Sequence, residues 1–207
     1  MQTGFTLYLI PMLIAVGISA ALSVYAFRHR TAPGATSFAW LMMILLIWLV
    51  FYTLKLASHN PATKIILDRI QCIGIVSLPV ALLAFAFEYT GRPRLTRSRL
   101  LLLSIVPSMS LLMIWTNHMH GWFQNEDGFY REGSLLLMEW TPGAGFWVHS
   151  IYSYILIVIA TILIFMAVVR SSYLARWQAT VLLVGLLIPF AANALFIFGL
   201  APSRHLD

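Results

Sequence analysis

Residues Ile65–Arg99 read IILDRIQCIGIVSLPVALLAFAFEYTGRPRLTRSR. The part through Tyr89 is an apolar run long enough to cross a bilayer, since a span needs roughly 20 mostly apolar residues at about 1.5 Å rise each. The part that follows places Arg92, Arg94, Arg97 and Arg99 in one short loop. An apolar run that stops at clustered arginines is a membrane span with an orientation attached, because short basic loops stay in the cytoplasm.

Composition extends this reading to the whole chain. Its 207 residues are 60% hydrophobic and only 10% charged, with a mean hydropathy of +0.86. A soluble domain of this size cannot hide that much apolar surface, so lipid is the solvent. The pI near 9.8 invites a nucleic-acid reading. The basic residues instead sit in short loops between apolar runs, where they set topology, and nucleic acid is excluded as a partner. The single cysteine, Cys72, forbids an internal disulfide. The N-terminal MQTGFTLYLI lacks a basic region, and its apolar run is too long for a signal peptide, so it reads as a retained span.

The pattern predicts six spans: Gly4–Phe27, Phe38–Leu56, Ile65–Tyr89, Leu100–Trp115 (extending to Asn117), Phe146–Val169 and Ala179–Leu200. Short loops favour antiparallel neighbours in one helical bundle. The loops after spans one, three and five carry Arg28, Arg30, Arg92, Arg94, Arg97, Arg99, Arg170 and Arg176, while nearly all the acids lie on the opposite side. The expected fold class is therefore an all-α, polytopic membrane bundle with its N-terminus outside. Six spans also leave Asp207 outside, and the expectation is that a seventh span would return the chain to the cytoplasm.

Polar groups within the spans collect in the outer half. Gln71 lies about six residues into span three, roughly 9 Å deep, and shares a face with Asp68. His149, Tyr152 and Ser153 share a face near the start of span five, Asn193 lies in the outer third of span six, and Asn117 and His120 follow span four. Intramembrane polar groups usually face the bundle interior or a cavity. The candidate ligand-contacting residues are thus Asp68, Gln71, Asn117, His120, Trp147, His149, Tyr152 and Asn193, with no catalytic residue, metal or cofactor assigned. Asp68 is expected to pair with Lys64 at i, i+4, and Glu88 with the nearby arginines. Pro11, Pro79, Pro107 and Pro189 each remove a backbone bond inside a span. Trp115, Trp122, Phe123, Trp140 and Trp147 mark the outer boundary, as an aromatic belt or as the wall of a binding site. His118, His120 and His149 offer an alternative reading as zinc ligands. A small permease or channel subunit is a further alternative, but the inner halves lack the polar path it needs. The segment Gly128–Trp140 suits either a surface hairpin or a short interfacial helix.

Four stretches carry a family resemblance: IQCIGIVSLPVALLAFAFEYTGR (Ile70–Arg92), WTNHMHGWF (Trp115–Phe123), GAGFWVHSIYSY (Gly143–Tyr154) and NALFIFGLAPSRHLD (Asn193–Asp207). The more specific elements are Thr116-Asn117-x-x-His120 and Gly143-x-Gly145-Phe146. In these the chain resembles the seven-transmembrane input region at the N-terminus of many bacterial and archaeal sensor histidine kinases. The resemblance implies one sensor domain over residues 1–207 in a prokaryotic plasma membrane, crossing it several times and without catalytic activity. The resemblance implies a cytoplasmic kinase, PAS or diguanylate cyclase output; the other expected partners, from the residues themselves, are the lipid bilayer, a small-molecule or envelope ligand in the outer pocket, and a second copy in a homodimer. It supplies no ligand-contacting residues, which rest on depth and facing alone.

Overall fold

The computed structural model describes residues 3–32, 34–132 and 135–170, with scattered positions between 177 and 188. In chain order they form α1 (Thr3–Arg28), α2 (Ala35–Ala57), α3 (Pro61–Tyr89), α4 (Arg97–Trp115), the single turn α5 (Asn117–His120), strands β1 (Gln124–Glu132) and β2 (Leu135–Pro142), and α6 (Ala144–Arg170). Among the described residues, five helices are long and apolar enough to cross a membrane: α1, α2, α3, α4 and α6. They coincide with the first five expected spans. The sixth falls largely outside the described residues, and Pro189 and Asn193 lie wholly outside them.

Caps set where the helices begin. Asn60 Oδ1 accepts from the backbone N–H of Ala62 at 2.9 Å and Thr63 at 3.3 Å, and Pro61 fills the first helical position. Its fixed φ and missing N–H suit that place, so α3 starts four residues before its apolar run. Thr96 caps α4 by accepting from Arg99 N at 3.4 Å. The expected extension of the fourth span to Asn117 does not occur, because α4 stops at Trp115 and a separate turn follows. Gly121, at φ 62°, ends that turn in a left-handed conformation that a side chain would strain.

In lipid, apolar side chains gain little by leaving one apolar environment for another, so close packing and hydrogen bonds hold helices together. Gly74 of α3 meets α2 so closely that an added Cβ would lie 2.8 Å from both Trp48 Cβ and Trp48 N. Between α1 and α2, Ser23 Oγ donates to Ala39 O at 3.2 Å, and both residues are almost fully buried. At the arginine-rich end, Glu88 pairs with Arg94 at 3.3 Å, as expected.

The Gly128–Trp140 segment lies in an antiparallel hairpin, Phe129 opposite Met138 and Tyr130 opposite Leu137, with a register shift between Glu126 and Gly128. The chain divides into two compact units, Met1–Ile157 and Val158–Asp207. Everything that follows lies in the first. Of the second, the described residues continue α6 to Arg170.

Candidate functional site

The end of the first unit where α2 finishes, α3 begins, α4 finishes and α6 begins is the end that the charge pattern assigns to the outside. Among the described residues, two polar groupings occur there.

The first joins α4, the turn after it, and α6. Asn117 is buried. Its Oδ1 accepts from Phe123 N at 3.1 Å and Gln124 N at 3.3 Å, and its Nδ2 donates to Gln124 O at 2.6 Å. One amide thus fixes the chain as it turns from α5 into β1. The turn's own carbonyls then receive the start of α6: Gly143 N donates to Phe123 O and Gly145 N to Trp122 O, both at 2.9 Å. These bonds answer N–H groups that a helix start leaves unpaired. The approach demands glycine, because a Cβ on Gly143 would collide with Trp122 O and lie 2.8 Å from the Trp122 carbonyl carbon. Phe123 is buried against Val76 and Ile114, and its ring meets Phe146 edge-on at 6.1 Å. The Thr-Asn-x-x-His and Gly-x-Gly-Phe elements are therefore two halves of one knot.

His120 closes the same turn. Trp122 N donates to its Nδ1 at 3.0 Å, which leaves the ring proton on Nε2 for Thr116 Oγ1, also at 3.0 Å. Both bonds are local to the turn that His120 closes.

Below the knot, His149 is buried between two serines. Ser110 Oγ donates to Val106 O at 2.9 Å and lies 3.0 Å from His149 Nδ1. A hydroxyl has one proton, so Nδ1 donates to Ser110 and Nε2 accepts from Ser153 Oγ at 3.0 Å. Tyr152 Oη donates to Leu103 O at 2.5 Å. That carbonyl is available because Pro107, four residues on, has no N–H to offer it. Sequence reading missed Ser110 and the Leu103 carbonyl. The position of Pro107 was the signal for the latter; nothing in the sequence paired Ser110 with His149.

The second grouping joins α2 and α3. Lys64, Asp68, Gln71 and Gly74 form one buried stripe of α3, at i, i+4, i+7 and i+10. Asp68 Oδ1 accepts from Lys55 Nζ of α2 at 2.9 Å, and Lys55 also lies 5.1 Å from the Tyr52 ring centre. This corrects the expected Asp68–Lys64 pair: Lys64 instead donates to Lys55 O near the end of α2, where helix carbonyls lack partners. Gln71 is 4% exposed, and its Oε1 has no hydrogen-bond partner among the described residues.

The eight expected residues therefore divide. Asn117, His120, His149 and Tyr152 belong to the first grouping, and their polar atoms hold the fold. Asp68 and Gln71 belong to the second, and of these two Gln71 keeps an open polar atom. Trp147 is 39% exposed and stacks edge-on with Phe146 at 5.6 Å. Asn193 lies outside the described residues. Among the described residues no three His, Cys, Asp or Glu side chains are placed to hold a metal ion, so His118, His120 and His149 do not assemble a zinc site. Both ring nitrogens of His120 and of His149 are already engaged.

A family model described as the N-terminal 7TM region of histidine kinase matches residues 11–207. No curated protein and no solved structure matches the chain.

Proposed function

The chain belongs to the family of N-terminal 7TM regions of histidine kinases, a multi-pass membrane sensor region without catalytic activity, and from that premise we propose how it receives its signal. A small molecule or envelope signal acts at the end of the unit where α2 meets α3, on the outer side of the membrane. The α4–turn–α6 knot is the rigid frame against which α2 and α3 move. A cytoplasmic kinase module on the C-terminal side, working as a homodimer, reads the displacement.

One observation carries this reading: the buried, unpartnered Gln71 Oε1 beside the Lys55–Asp68 ion pair. A buried acceptor left open costs about 1–3 kcal/mol, and such open capacity suits a surface that engages a ligand. A ligand shifts an equilibrium only by its differential affinity for the two states, and a nearly complete switch needs about 5.5 kcal/mol. A few buried hydrogen bonds and a rearranged ion pair are of that order.

The test uses the full-length protein in membranes, with Lys55→Met, Asp68→Asn and Gln71→Leu introduced singly. Each variant is expected to change the autophosphorylation rate by about fivefold, the effect of roughly 1 kcal/mol on the off–on balance. Wild-type rates in all three, with normal membrane insertion, would remove the α2–α3 end from signalling.

A further inference from the structure

The α2–α3 stripe has two unmet demands of opposite kind. Lys64 is 2% exposed, and its ammonium, which has three N–H donors, bonds only Lys55 O among the described residues. Lys55 is held by Asp68. Lys64 itself has no carboxylate within ion-pair distance among the described residues, and the end of α2 offers it only part of a negative charge. A buried ammonium calls for a full anionic partner. One step deeper on the same stripe, Gln71 Oε1 calls for a hydrogen-bond donor. Gly74, pressed on Trp48, closes the stripe below it.

One ligand class answers both demands. We propose that the α2–α3 interface binds a small organic anion, a carboxylate or phosphate, that also carries a hydroxyl or amine donor. Its acidic group lies on Lys64, and its donor reaches Gln71 Oε1. This rests on the reading that the signal acts at the α2–α3 end. The same chemistry is found in a soluble hydroxy acid and in the headgroup of phosphatidylglycerol.

The experiment follows the intrinsic tryptophan fluorescence and the unfolding midpoint of the full-length protein in phosphatidylcholine nanodiscs. Glycolate, acetate and ethanolamine are titrated in turn, and a parallel preparation contains phosphatidylglycerol. Glycolate is expected to bind about tenfold more tightly than acetate, the difference being the donor to Gln71. Ethanolamine, which has the donor but no anion, is expected not to bind. Gln71→Leu should erase the preference for glycolate over acetate, and Lys64→Met should abolish both. If Lys64→Met fails to fold, Gln71→Leu decides the matter, because an apolar side chain of similar size replaces a polar one that lacks a partner. Stabilisation by phosphatidylglycerol that Gln71→Leu removes supports the site with a lipid as its source. The proposal is overturned if neither glycolate nor phosphatidylglycerol binds, if ethanolamine binds as well as glycolate, or if Gln71→Leu leaves the preference intact. Autophosphorylation in the same preparations separates the two readings. Binding without a change in phosphorylation keeps the site and removes its role in signalling. Altered phosphorylation in Gln71→Leu without binding of any anion does the reverse.

Discussion

Asn117, which reads from the sequence as a ligand group, commits its amide to the backbone of the turn ahead of it. From the sequence it is a polar side chain at the end of a span, where both roles are open. In the fold its amide holds three backbone atoms of Phe123 and Gln124. Asn117→Ala strands the buried Phe123 N–H, which costs about 1–3 kcal/mol. Asn117→Asp keeps the acceptor but turns a carboxylate oxygen toward Gln124 O, where a donor is needed. Both variants are therefore expected to lower the unfolding midpoint in detergent micelles. Alanine at the exposed His118 is expected to leave it within experimental error. A drop for His118→Ala as large as that for Asn117→Ala would contradict this account of the turn. No local property of the sequence separates these neighbours, because the partners of Asn117 lie six and seven residues ahead, across a turn.

At the scale of elements, α4 and α6 are joined where a proline interrupts one of them. Pro107 was legible as a residue that frees a carbonyl inside a span. The side chain that takes the carbonyl, Tyr152, belongs to another helix and was visible only in the fold. An unsatisfied carbonyl in lipid costs several kcal/mol, so such gaps are filled by neighbours. Tyr152→Phe leaves Leu103 O open and is expected to destabilise the wild-type chain by about 1–3 kcal/mol. In a Pro107→Ala background, the new backbone N–H can itself bond Leu103 O, and the same substitution should cost much less. A double-mutant cycle of unfolding free energies checks this, since residues sharing one hydrogen bond are coupled. Simple additivity would mean that proline and tyrosine do not share the carbonyl. The knot works by the same logic at the start of α6, where the Trp122 and Phe123 carbonyls meet N–H groups of Gly143 and Gly145.

Across the whole molecule, charge orients the helices. Single cysteines at Arg94 and Thr141, in a Cys72→Ser background, are expected to react with a membrane-impermeant maleimide from opposite sides: Thr141 in intact cells, Arg94 only after lysis. Labelling of both from outside would overturn the assigned orientation and place the α2–α3 end elsewhere. The sequence by itself determined the membrane class, the first five spans and the side each loop prefers. Those follow from the length of an apolar run and the charge of the loop beside it, which are properties of neighbouring residues. Only the tertiary structure decided which polar groups remain open. Asp68 took Lys55 rather than Lys64, His149 took two serines, and Gln71 kept a free acceptor among the described residues. The fate of a buried donor or acceptor depends on what another helix sets opposite it, and that pairing is fixed by packing.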